Sequence, residues 1–255
     1  MTTRQPSKWG ILIAGATLFA LAVKLVISYR YFGTLDIIYW HEFLEIIRRE
    51  ASTNIYQGIF NHPPFMMRVL PAIGALADYT GLPFPFCFRL PVILADAVSV
   101  WLVWKITQRD APGPGTALAV LLMALAPASI MISGYHGNTD PLMICFVLLA
   151  VFLRTTSAAW LAGMAFGMAM NIKIVPVIFA PMFLLYRYEL RKGFAFAAAA
   201  AATFAIASLP HLWNDPWTIA QRVFGYGGPW GTWGLPMLLR LGEERLRFEA
   251  LYSDT

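Results

Sequence analysis

A carboxylate, an ammonium group and a polar island set within apolar sequence are the features of this 255-residue chain that point to chemistry. Asp36 follows the first long apolar stretch, at the membrane surface, where a carboxylate can take a proton from a hydroxyl. The island Gly134-Tyr135-His136-Gly137-Asn138-Thr139-Asp140 lies between two apolar stretches and contains no Lys or Arg. Most loops between membrane helices are plain connectors, so one that holds His136, Asn138 and Asp140 is a candidate site. Lys173 heads the short segment Asn171-Ile-Lys173-Ile-Val-Pro176-Val-Ile-Phe-Ala-Pro181. Proline-broken spans tend to line sites, because their loosened backbone needs protein or water around it. An ammonium there can bind an anion near headgroup level. His62 stands in Asn61-His62-Pro63-Pro64-Phe65, and Asp96 sits in the middle of an apolar run, seven residues after Arg89. An acid inside a membrane span is a functional hypothesis by default.

Each of these residues also has a plainer reading. Asp36 fits a helix N-cap, a common role for Asp. His62 fits an interfacial loop, Asp96 a bond to a neighbouring helix, and Lys173 a side chain snorkelling toward headgroups. Glu42, Glu45, Arg48 and Arg49 read as the solvated face of an amphipathic helix whose apolar residues Ile37, Trp40, Phe43, Leu44 and Ile47 recur at helical spacing.

The elements that must position these groups are membrane helices. The chain is 58% hydrophobic and 13% charged, with mean hydropathy +0.61, where soluble domains carry about 25% charged residues. Its 19 Lys and Arg against 14 Asp and Glu are scattered at helix ends, a membrane-orientation pattern and no sign of a nucleic-acid partner. Cys87 and Cys145 lie in different apolar segments, so neither a disulfide framework nor a metal spacing is expected. The first apolar segment follows Arg4 and Lys8 as a signal peptide would. It is longer than an h-region, contains Lys24 and has no small-residue cleavage site, so it reads as an uncleaved anchor.

Apolar runs predict seven spans, near 9–29, 88–106, 115–134, 139–154, 157–171, 172–186 and 194–210, in an all-α polytopic membrane protein. Segment 63–79, with Pro63, Pro64, Pro71, Arg68 and Asp78, reads as a short interfacial helix and not a crossing. Lys105, Arg109, Arg154, Arg187, Arg191 and Lys192 then share the side of Arg4 and Lys8, as the excess of cations in cytoplasmic loops requires. Asp36, His41, Glu42, Glu45, His62, His136, Asn138, Asp140 and His211 then share the external face. The organisation expected is a single membrane domain over 1–255, with a first external loop at 30–86 and a later loop or tail at 211–255. Gly163-x-x-x-Gly167 and the run Ala197–Ala202 predict close helix packing.

The order of these pieces resembles the GT-C class of membrane glycosyltransferases, which use polyprenyl- or dolichyl-phosphate sugars. The resemblance rests on Asp36 after the first span, Asn54-Ile-Tyr56, Asn61-His-Pro-Pro-Phe65, Arg89-Leu-Pro-x-x-x-Ala95-Asp96, Gly137-Asn-x-Asp140 and Lys173-x-x-Pro176, and is nearest to bacterial glucosyl- and mannosyltransferases of lipid-linked glycan assembly. It implies a seven-helix module spanning a bacterial inner membrane, with the active site on the external face. In that module Asp36 is the catalytic base, and Lys173, Arg89 and His62 meet the donor phosphate. His136, Asn138, Asp140 and Asp96 border the same cavity. The implied partners are a polyprenyl-phosphate-linked sugar and a lipid or glycan acceptor. The first external loop has no Asp-x-Asp pair, so no cofactor is carried over, and a divalent ion is left open. Two other readings stand beside this one: a transporter or flippase of a lipid-linked or polar solute, and an inactive module that binds a partner chain.

Overall fold

A computed structural model describes residues 8–49, 54–155, 159–186, 189–213 and 215–225. The side chain of His211 and most of the expected tail, from residue 226 onward, lie outside the described residues. The chain divides into two compact units, Met1–Val223 and Phe224–Thr255, and the elements described here belong almost entirely to the first. Among the described residues every regular element is helical.

Helix α1 (Lys8–Arg30) leads through an extended link into α2 (Leu35–Arg49), followed by a 3-10 turn at Asn54–Gln57 and α3 (Met66–Thr80). Helix α4 (Phe84–Asp110) begins just after Pro83, which needs no backbone donor at a helix start. Helix α5 (Pro114–Ala124) stops where Pro127 forces Ala126 out of helical geometry (ψ 121°), and α6 (Pro127–Met131) continues into a π-turn at Ile132–His136. Next come α7 (Asp140–Thr155), α8 (Ala159–Ile172), a 3-10 turn at Val175–Phe179, the short α9 (Ala180–Leu184), α10 (Leu190–Leu212) and α11 (Pro216–Phe224).

Among the described residues four stretches are long and apolar enough to cross a bilayer: Lys8–Arg30, Phe84–Asp110, Pro114–His136 and Leu190–Leu209. The other three expected spans are shorter. Helix α7 has 16 residues and α8 has 14, rods of roughly 21–24 Å against a hydrocarbon core of about 30 Å. Pro176 and Pro181 break the third into the 3-10 turn and α9. The chain is an all-α integral membrane protein, with apolar residues such as Leu12, Leu18, Phe19, Ile206 and Leu209 exposed along its helices.

Helices α1 and α4 are antiparallel neighbours. Lys24 of α1 pairs with Asp96 of α4, while Ser28, Tyr31 and Phe32, farther along, meet Arg89, nearer the start of α4. Residues 31–83 therefore leave and rejoin the bundle at the same end. There α2, the 3-10 turn, α3, the start of α4 and α11 share one core around Trp40, Phe43, Leu44, Tyr56, Phe60, Leu70, Phe88 and Ile219. This cap has an exposed outer face, where Arg48 joins Glu45 and Asp78. An open apolar groove of about 290 Å³ lies between α1 and α4 at the other half of α1, lined by Gly10, Ala14, Thr17, Trp101 and Trp104 among others.

On the far side of the bundle α7, α8 and α10 pack in a row. Helices α8 and α10 touch backbone to backbone, because a Cβ on Gly163 would collide with the Phe196 carbonyl and one on Gly167 would stand 2.6 Å from the Ala200 carbonyl. Gly163→Val should therefore lower the denaturant midpoint in detergent by the equivalent of about 1–3 kcal/mol, the usual cost of overpacking. An unchanged midpoint would mean that α8 and α10 do not meet at this residue.

Candidate active site

The cap core and the ends of α1 and α4 bring the polar island against α2. Asp36 lies within the first turn of α2, 41% exposed. The link that delivers it passes Gly33, at φ 110°, where a Cβ would strike the Arg89 guanidinium. The π-turn carries His136 toward α2 and ends at Gly137, in the left-handed region (φ 80°), where a Cβ would strike Ile37. At both glycines only hydrogen fits.

His136 Nε2 stands 3.5 Å from Asp36 Oδ2, and its Nδ1 is 2.7 Å from the Thr34 hydroxyl. The same hydroxyl lies 2.8 Å from the His136 carbonyl. A carboxylate repels a bare ring lone pair, so the network selects a proton on Nε2. The single Thr34 proton then goes either to Nδ1, leaving the ring neutral, or to the carbonyl, which leaves Nδ1 as a second donor and the ring charged. His136 thus stands beside Asp36 Oδ2 at ion-pair distance.

At the other end of the island, Asn138 Oδ1 accepts the Asp140 backbone N–H at 2.9 Å and starts α7. The same oxygen accepts from Lys173 Nζ at 3.2 Å, and Lys173 Nζ lies 2.5 Å from Asp140 Oδ1. The Lys173 side chain remains 26% exposed. Thr139, just before α7, buries a hydroxyl that has no partner. Lys173 heads the proline-broken segment, and the Ile172 carbonyl beside it meets His62 Nδ1 at 3.3 Å. The His62 ring packs on Trp40, with centroids 4.5 Å apart, and Trp40 Nε1 donates to the Gly137 carbonyl at 3.2 Å. The contacts close a circuit from Asp36 through His136, the island, Lys173, His62 and Trp40 back to α2.

Asp36, His136, Asn138, Asp140, Lys173 and His62 are thus brought together at one end of the bundle. Arg89 is employed differently from the phosphate role that the resemblance implies. It is fully buried, and its terminal nitrogens donate to the carbonyls of Ser28, Tyr31 and Phe32, while Nε has no acceptor. It caps the end of α1, and a phosphate would have to displace those carbonyls. Asp96 lies two helical turns deeper, held by Lys24 and by the Ser129 hydroxyl at 2.9 Å from both of its oxygens. It is occupied by this interhelical bond. Sequence reasoning did not single out Thr34, Ser129 or Lys24 as partners. The available signal for Lys24 was a lone charge inside an apolar run, like Asp96 itself. Among the described residues no three His, Cys, Asp or Glu side chains gather as a metal site.

Burial, and then the positive charge of Lys173, push the His62 imidazole down to about 4 from the ordinary 6.5. A lowered folded value means that the unfolded chain binds the extra proton first. The stability that neutral His62 contributes is therefore complete above about pH 6.5 and is lost as pH falls toward 4. Melting curves in detergent between those limits should drop for the natural chain and flatten for His62→Gln. Equal pH slopes for both proteins would contradict the burial of this ring.

GPI mannosyltransferase 1 of Saccharomyces cerevisiae is 22% identical over 182 residues, which are 69% of this chain and 44% of the yeast protein. The chain thus spans less than half the length of that relative. The model of glycosyltransferase family 87 matches residues 60–224, a stretch that contains His62, Arg89, Asp96, the island and Lys173, and that begins after Asp36. That match covers well over half of the sequence, and the chain belongs to glycosyltransferase family 87.

Proposed function

We propose that this protein transfers a hexose from a polyprenyl-phosphate donor to a lipid or glycan acceptor, with inversion, at the external face of a bacterial plasma membrane. The observation that carries the reading is the reach of one short loop. Its His136 stands at the Asp36 carboxylate, and its Asn138 and Asp140 hold the Lys173 ammonium. A base and a fixed cation on one partly exposed surface suit displacement at an anomeric carbon. The prenyl tail keeps the donor in the bilayer, with phosphate and sugar at its surface. The acceptor oxygen attacks the anomeric carbon, Asp36 takes the acceptor's proton, and the bond from that carbon to the phosphate oxygen breaks. Lys173 stabilises the charge that collects on the departing lipid phosphate. Because the acceptor approaches opposite the leaving group, one displacement inverts the configuration.

Family membership supports transfer over the transporter reading, and the yeast relative's name supports a mannose donor as the first probe. The ends of the bundle away from Asp36 carry Lys105, Arg109, Arg154, Arg191 and Lys192, which supports a cytoplasmic assignment for that side. Cysteines introduced at Tyr79, 91% exposed in the cap, and at Arg109 should react and fail to react, respectively, with a membrane-impermeant thiol reagent in intact cells.

Turnover of polyprenyl-phosphate [14C]mannose with a membrane extract as acceptor tests the roles. Asp36→Asn should lower kcat by about 100-fold or more, the span of general-base catalysis. Lys173→Met should lower it by about 100–1000-fold, as loss of a preorganised charge does. Near-normal turnover by correctly folded Asp36→Asn removes the base assignment.

A further inference from the structure

Below the site, the two helices that lead to Asp36 and His136 are joined to α4 inside the membrane. Lys24 of α1, 2% exposed, pairs with Asp96 of α4, and both bond the Ser129 hydroxyl of α6, Lys24 at 2.9 Å. Six residues beyond Lys24, about 9 Å along the axis, α1 ends and its link leads to Thr34 and Asp36. Seven residues beyond Ser129, the π-turn ends at His136. Gly134, in that turn, lies against the Lys24 backbone, since a Cβ there would be 3.1 Å from Lys24 Cα.

We infer that Lys24, Asp96 and Ser129 are positioning residues that set the register of α1 against the π-turn and thereby hold His136 on Asp36. The inference rests on the reading of Asp36 as the base. In lipid, apolar helix faces discriminate poorly between registers, because lipid tails are as apolar as the side chains they replace. An ion pair with a shared hydroxyl is satisfied in one register only. For stability alone an apolar trio would serve as well, since a buried ion pair seldom exceeds well-packed apolar residues in net contribution. What the charges add is a unique alignment of the two limbs that end at Thr34–Asp36 and at His136.

The test uses the full chain in nanodiscs with polyprenyl-phosphate [14C]mannose and a membrane extract. Lys24→Leu combined with Asp96→Leu removes both charges and leaves none unpaired. Folded by melting and gel filtration, this variant should lose about 10–100-fold in kcat, the cost of a small misplacement, while the donor KM stays within about twofold. Its amide exchange at residues 134–138 should quicken. Exchanging the charges, Lys24→Asp with Asp96→Lys, should restore kcat to within about fivefold of the natural chain. Natural kcat in the folded apolar variant overturns the inference, as does a loss of kcat that the exchanged pair leaves unrestored. If the apolar variant does not fold, Ser129→Ala decides, with a fall in kcat of about fivefold expected for one lost hydrogen bond and an unchanged kcat overturning the inference. An active Asp36→Asn instead overturns the transferase reading itself. An inactive Asp36→Asn beside a fully active apolar variant removes only the positioning role.

Discussion

A helix that ends near the membrane surface leaves carbonyl groups without partners, and in a low dielectric those groups must find donors. Arg89 supplies them for α1. Its guanidinium takes the Ser28, Tyr31 and Phe32 carbonyls, so the charge sits at the negative end of the helix dipole and is spread over three acceptors. The chain leaves α1 around this group, and Gly33 has no side chain to obstruct it. The direction of residues 31–34, and with it the position of Asp36, follows from this one buried cation. Removing it would strand the carbonyls and release the link at the same time.

The second constraint is how a short loop serves two sides. A regular helical continuation of α6 would carry the chain straight onward. The π-turn at Ile132–His136 widens the coil, and Gly137 reverses the backbone against Ile37 and Trp40. Asn138 then closes the loop onto α7 with the oxygen that also receives Lys173. The five residues from His136 to Asp140 thereby carry both the group beside a carboxylate and the groups that hold an ammonium. Spacing of this kind resists drift, because each end is pinned to a different helix.

Polar groups elsewhere in the bundle follow the same logic. Asn171 is buried between α8 and α10, where it donates to the Gly167 and Thr203 carbonyls and accepts from Ser208. Arg154, expected among the cytoplasmic cations, is buried and donates to the Phe183 and Tyr186 carbonyls. It serves the loosened backbone around Pro181, much as Arg89 serves α1. The membrane-facing surface is apolar, and the interior is held in alignment by a few satisfied polar ties.

Composition and apolar runs alone determined the solvent of this protein and its helical class, because only lipid accommodates so much exposed apolar surface. Recurrence at helical spacing marked Ile37, Trp40, Phe43, Leu44 and Ile47 as the apolar face of one helix lying on the membrane, and small residues marked the α8–α10 contact, since both depend on local periodicity. That the α2 face is instead buried against α3, α4 and α11 was decided by tertiary structure. The gathering of Asp36, His136 and Lys173 could be anticipated from charge placement, which sorts loops by side but gives no distances. What Arg89 and Asp96 do was decided only by tertiary structure. Their charged and carbonyl partners come from α1 and the link after it, some sixty or seventy residues away in the chain, and the nearest carbonyl or ammonium in space leaves no mark on local sequence. The number of crossings also escapes the sequence, because α7, α8 and the proline-broken run are near the length at which packing against neighbours, and not hydropathy, determines depth.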